Sequence, residues 1–216
     1  MYIPDEFRPC SDTFTAELID TEVLGCLLSY NENRLITTPL PFLRDDADSE
    51  GLTLLSHLAA DNTHWEILQQ QGEAHLLFMG PHTYVSPQWY SSPVNAPTWN
   101  YVLSVLRVKV EIVREHSALL SLMQKTVVHF EKRYAQPSGI NLQPERLQRL
   151  LGRIIGLKLS VTGVHEKAQL NQNRSLDDQR AVATFLSGSN NDNAQFIAKM
   201  MFDNLQGFSN QTSSGG

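Results

Sequence analysis

The chain is short of positive charge, cysteine and long apolar runs, and each shortage excludes something. Seventeen Lys and Arg stand against 23 Asp and Glu in 216 residues, giving a formal charge of −6 and a pI near 5.6. A surface of that sign does not attract nucleic acid as a whole, so any DNA contact falls to a local patch or to a partner protein. The two cysteines, Cys10 and Cys26, sit in no CxxC or zinc spacing and read as free thiols of a reducing compartment. No window approaches about 20 unbroken apolar residues. The opening MYIPDEFRPC puts proline and acids where a secretory leader needs a basic and then an apolar run. The expected location is therefore the cytoplasm, with no membrane partner. There is no GxSxG, GxxxxGK[ST] or GxGxxG, so a hydrolase or nucleotide-binding reading has no motif to stand on. His57, His64, His129 and His165 match no zinc spacing, and no metal is expected.

What the chain does have is an unusual connection. GPHTYVSPQWYSSPVNAPTWNY, Gly80 to Tyr101, packs four prolines, two tryptophans and three tyrosines into a stretch that reads as a loop between strands. Solvated loops use small polar residues, so this one packs against something: a planar ligand, a second subunit, or its own domain. Up to about Val113 the apolar runs are short and separated by turn residues, the pattern of a sheet that closes into a small barrel. Leu106, Val108, Val110 and Ile112 alternate with Arg107, Lys109 and Glu111, the signature of a half-buried strand.

Helices are expected at FTAELIDTEVLG, at ADNTHWEILQQQG closed by Gly72, from Ser117 as N-cap to Tyr134, and from Pro144. The Ser117 helix carries Leu119, Leu120, Met123, Val127 and Phe130 near one stripe. IGLKLSVTGVHEK returns to the sheet, AQFIAKMMFDNL forms a short last helix, and SNQTSSGG is a disordered tail. Arg146, Arg149 and Arg153 recur at helical spacing and form the best local basic face, although an ordinary solvated helix face has the same look.

MYIPDEFR, SHLAADNTHW, GPHTYVSPQWY, APTWNY and IIGLKLSVTGVHEKAQLNQNR occur in the order of the motifs of the PaiB family, described as FMN-binding negative transcriptional regulators, which the chain resembles from Met1 to about Arg180. The resemblance implies an α+β, mainly β fold: an FMN-binding split β-barrel of the pyridoxamine-phosphate-oxidase-like type with peripheral helices. It also implies a homodimer with flavin at the subunit interface. The expected organisation is one split-barrel domain over residues 1–186 with a C-terminal helical elaboration, a terminal helix region over 187–208 and a tail over 209–216. Departures from the family pattern fall at Ser56, Thr63, Gln169 and Asn171 and at the glycine missing from VLSVLRVKV; Gln169 stands in place of a second basic residue and Asn171 in place of a serine, so one positive charge is gone from the late motif.

FMN needs a cationic or multiply hydrogen-bonding cradle for its phosphate, an apolar slot for its ring and donors along the ring edge. Thr37, Thr38, Ser56, His57 and Asn62 form the first candidate cradle, against the plain alternative of strand residues and a helix cap. Trp65, Trp89, Trp99, Tyr84 and Tyr90 are candidates for stacking, against a self-packed aromatic cluster, and Asn100 travels with Trp99 in the intact PTWNY motif. Lys167, Gln172, Asn173 and Arg174 supply donors for an anionic ligand, against a solvated helix start. No catalytic residue is assigned. The function implied is an FMN-binding negative regulator of transcription, with a flavin-dependent oxidoreductase as the alternative and a dimeric interaction module that has lost its flavin as a third reading.

Overall fold

The computed structural model describes all residues except 10, 46–50, 94–95, 135–148 and 214–216, and the backbone alone for 207–213. The described strands are β1 (Leu24–Asn31), β2 (Arg34–Pro41), β3 (Leu43–Arg44), β4 (Thr53–Ala59), β5 (Glu73–Val85), β6 (Thr98–Val113) and β7 (Ile154–Gln169), in one sheet of order β2-β1-β5-β6-β7-β4-β3. The described helices are α1 (Phe14–Thr21), α2 (His64–Gln71), α3 (His116–Tyr134), α4 (Leu176–Ser187) and α5 (Asp192–Ser213). This is the mainly antiparallel sheet with peripheral helices that the sequence leads one to expect. The last helix continues into the segment read as a tail. The expected helix from Pro144, with Arg146, lies largely outside the described residues, as does Cys10. Among the described residues no helix is long and apolar enough to cross a membrane.

The chain divides into two compact units. Unit 1 comprises Met1–Thr15, Met79–Ser104 and His165–Gly216; unit 2 comprises Ala16–Phe78 and Val105–Val164. Unit 2 is built on the β1–β2 hairpin, whose register runs from Leu24 opposite Pro41 to Asn31 opposite Arg34. Its two-residue turn puts both Glu32 (φ 47°) and Asn33 (φ 65°) in the left-handed region, as a tight hairpin requires. The inward face carries Leu27, Leu40, Leu76 and Phe78, all buried, with Leu106, Leu157 and Leu159 completing the core. As expected, Leu106 and Val108 are buried while Arg107, Lys109 and Glu111 are exposed.

Helix α3 packs on this unit through Leu119, Leu122 and Thr126, a stripe one position off the expected one. Leu122 forms a buried cluster with Leu43 and Leu55, against which Val113 and Met123 pack. The cap also differs from expectation: the Glu115 carboxylate accepts the backbone N–H groups of Ser117 (3.0 Å) and Ala118 (2.8 Å), so a carboxylate outside the helix takes the role read for Ser117. The hydroxyl and backbone N–H of Ser117 and the N–H of Ala118 hold the Glu115 carboxyl down to about 2. Arg44 binds Asp20 with two bonds of 2.8 Å.

Close packing fixes one glycine in particular. A Cβ on Gly25, in β1, would lie 2.7 Å from Cε1 of Phe78 and 3.0 Å from Cδ2 of Phe42, and both rings are fully buried. Gly25→Ala is expected to destabilise the protein by about 1–3 kcal/mol, because neither ring has room to yield. Gly51→Ala, where a Cβ would meet nothing within 4 Å, serves as the neutral control in a urea titration. Equal midpoints for the two variants would contradict the packing described.

Candidate functional site

The candidate residues fall into two groups, one in each unit, and the two-residue period of the strands divides each group again. In unit 2, Thr37 and Thr38 are neighbours on β2 and point to opposite faces: Thr37 is exposed and Thr38 is buried. Thr38 belongs to a closed network. Its Oγ1 lies 2.8 Å from Nδ1 of His64 and accepts from Asn62 Nδ2 at 3.3 Å, while His64 Nε2 lies 2.7 Å from Ser29 Oγ. Asn62 Oδ1 also accepts the backbone N–H of His64, the first residue of α2, at 3.1 Å. This network ties the start of α2 to β1 and β2. His64 and Ser29 were not singled out as partners by the sequence, because nothing local links residue 64 to residue 29.

Ser56 and His57 are split in the same way on β4. Ser56 is buried and its hydroxyl donates to the Pro41 carbonyl at 2.7 Å. His57 is half-buried, and its Nδ1, itself out of contact with solvent, has no hydrogen-bond partner among the described residues. Burial lowers the pKa of both His57 and His64 below the usual 6.5. Trp65 donates from Nε1 to the Ala60 carbonyl at 3.0 Å, and the Arg114 guanidinium lies 5.0 Å over its ring.

In unit 1, Trp99 and Asn100 are the third split pair. Asn100 is fully buried; its Nδ2 donates to Met201 Sδ at 3.4 Å, and its Oδ1 has no partner among the described residues. Trp99 faces the other way and is 51% exposed. On the Trp99 face lie Tyr101 and Lys167. Lys167 is only 8% exposed, and its ammonium stands 5.2 Å from the Tyr101 ring centre and 5.5 Å from that of Phe7. It has no carboxylate partner among the described residues. Its neighbour Glu166 points away and accepts from the hydroxyl and backbone N–H of Thr15.

The late motif is largely spent on its own turn. Gln172 accepts from Leu170 N at 2.7 Å and donates to the Ala168 carbonyl at 2.6 Å. Asn171, at φ 65°, donates to the Tyr90 hydroxyl at 3.0 Å, and Gln169 donates to the Trp99 carbonyl at 3.0 Å. Arg174 lies 5.5 Å over the Tyr90 ring, and Asn173 is exposed. The two departures from the family pattern in this segment therefore hold the aromatic residues in place.

The start of the aromatic loop packs on its own unit. Trp89 stacks on Phe185 of α4 (4.2 Å, 17°) and meets Tyr84 edge-on at 6.2 Å; Tyr84 meets Trp99 at 6.3 Å, and His82 meets Trp99 at 5.5 Å. Asp178, at the start of α4, accepts from Ser91 Oγ (2.8 Å), Ser92 N (3.0 Å) and Ser92 Oγ (2.8 Å). Burial pushes its carboxyl up, but the Ser92, Ser91 and Ser175 hydrogen bonds outweigh burial and hold it at about 2.

Comparison with known proteins gives a consistent picture. Residues 1–163 match the family described as "Putative FMN-binding domain". Over 207 residues the chain is 28% identical to the Bacillus subtilis "Protease synthase and sporulation protein PAI 2", covering 95% of this chain and 99% of the relative. Among solved structures it is similar to a conserved hypothetical protein of Mycobacterium tuberculosis (TM-score 0.57, 13% identity, 80% of this chain and 92% of the other). It is also similar to an FAD and heme binding protein of Mycobacterium smegmatis (TM-score 0.53, 14% identity, 84% and 80%). At such identities the structural likeness shows the fold alone, and that fold is the split barrel.

The His64 network makes stability pH-dependent. Because its folded pKa lies below the ordinary 6.5, protonation favours the unfolded chain, so His64 stabilises the fold above that value and the contribution is lost as pH falls. The urea midpoint is expected to drop between about pH 7 and pH 5, and to drop less in His64→Gln, where only His57 of the two titrates. An identical pH slope in variant and wild type would show that His64 is not the group responsible.

Proposed function

The chain belongs to this FMN-binding domain family and FMN is its cofactor; from that premise we propose that it is a homodimeric negative regulator of transcription whose flavin phosphate is held by Lys167 and whose flavin ring lies against Trp99. The observation that carries the site is the Lys167 ammonium. Lysines are almost never this buried without a counter-ion, and cation–π contact is worth only about 0.5–2 kcal/mol. A phosphate is the missing partner that such a position suits. Trp99 on the same strand face offers the ring a half-open platform, and Arg174 adds a second cation within the same unit. When bound, FMN supplies one- and two-electron redox chemistry.

A second copy of the chain is the partner that best suits the outward face of β2-β1-β5. Leu24, Cys26, Leu28 and Tyr30 of β1 lie there opposite Pro41, Pro39, Thr37 and Leu35 of β2, with Leu77 opposite Cys26 on β5. Leu24, Tyr30 and Leu35 are each more than half exposed, an apolar sheet face that a solitary chain would leave wet. A regulatory role is supported by the kinship over almost the whole chain with a protein named for protease synthesis and sporulation, processes rather than a reaction. With a net charge of −6, contact with DNA is expected through a partner protein or a local patch.

Titration with FMN and with riboflavin, read by quenching of flavin fluorescence, tests the site. Wild type is expected to prefer FMN, and Lys167→Met to lose about 1.5–3 kcal/mol of FMN affinity while binding riboflavin as before. Equal loss for both ligands, or none, would remove the phosphate from Lys167. In sedimentation velocity Leu35→Glu is expected to run as a monomer where wild type runs as a dimer. A flavin that NAD(P)H reduces in the purified protein would move the reading to the oxidoreductase.

A further inference from the structure

We infer that Asp178 is a positioning residue: from α4 it fixes the aromatic strip that ends at Trp99, and so sets the geometry in which unit 1 receives the flavin ring. This rests on the reading of Trp99 as the platform for that ring. The chain of contacts is continuous. Asp178 holds Ser91 and Ser92, two and three residues after Trp89. Trp89 is clamped from the other side by Phe185, one helical stretch beyond Asp178 on the same α4. Tyr84 touches both Trp89 and Trp99, so it passes the constraint to the platform. A second arm reaches Trp99 directly, through the Gln169 amide on its carbonyl oxygen.

A carboxylate is the acceptor that suits this position. Two hydroxyls and one backbone N–H of the loop converge on it, and a carboxylate offers acceptor sites on both oxygens, whereas an amide offers them on one. The anchor is buried, yet the far end of the strip is open: Tyr84 and Trp99 are both exposed large side chains. Fixing exposed rings adds little to the core. It removes the ordering cost that a ligand would otherwise meet on binding, which is what preorganisation supplies.

The test uses the full chain and FMN as the probe. Asp178→Asn is expected to weaken FMN binding by about three- to tenfold, the ordering cost of one or two freed side chains. Arg44→Ala, which breaks the paired bonds to Asp20 in unit 2, is expected to lower the melting temperature without moving the FMN Kd. Phe185→Ala removes only an exposed ring, leaves the carboxylate clamp intact, and is expected to weaken FMN in the same direction by a smaller factor. Unchanged FMN affinity in Asp178→Asn and Phe185→Ala, while Trp99→Ala weakens it, overturns the inference and leaves the site standing. Equal weakening in Arg44→Ala overturns it too, since the effect would then be general destabilisation. If Trp99→Ala itself leaves the Kd unchanged, the platform reading falls and the inference with it.

Discussion

Consecutive residues of a strand face opposite ways, and this constraint decides what each candidate residue can do. Thr37 and Thr38, Ser56 and His57, and Trp99 and Asn100 are three adjacent pairs, and in each the pleat turns one member into the interior and leaves the other more open. The inward members, Thr38, Ser56 and Asn100, are committed to contacts inside their own unit. The outward members are the ones left for a ligand or a second chain. The same alternation puts Leu27 and Ser29 of β1 inside and leaves Leu24 and Tyr30 more than half exposed on the other face.

Among the described residues, two sets of buried polar groups are closed on themselves. Asn62, Thr38, His64 and Ser29 close one set around a neutral imidazole, and Asp178 gathers the donors of a loop into another. These sets hold two otherwise irregular segments, the start of α2 and the start of the aromatic loop, in fixed positions. Against them stand the His57 Nδ1 and the Asn100 Oδ1, which have no partner among the described residues, and Lys167, a largely buried cation that faces aromatic rings and no carboxylate. A charge is the most expensive of these to leave without a counter-ion, and for that reason the proposed phosphate contact is placed at Lys167.

Much of the fold was legible because it is written in local pattern. The period-two run from Leu106, the closing Gly72 of α2, and the return of IGLKLSVTGVHEK to the sheet all appear as read. The aromatic loop was legible as packed; that its start rests on α4 of its own unit was not, because Ser91 and Asp178 are 87 residues apart and neither is unusual by itself. The local pattern points to Ser117 as the cap, but the Glu115 carboxylate reaches forward to the N–H groups of Ser117 and Ala118 and does the capping. Gln169 and Asn171 looked like losses from a binding motif. In the folded chain their amides hold Trp99 and Tyr90, a role visible only once distant strands are paired.

The proposed site has the FMN phosphate meeting the Lys167 ammonium on the Trp99 face. A crystal structure of the protein with FMN tests it most directly. A phosphate oxygen is expected within about 2.7–3.2 Å of Lys167 Nζ, with the flavin ring against Trp99. A phosphate bound elsewhere, with Lys167 still facing only Phe7 and Tyr101, would contradict it.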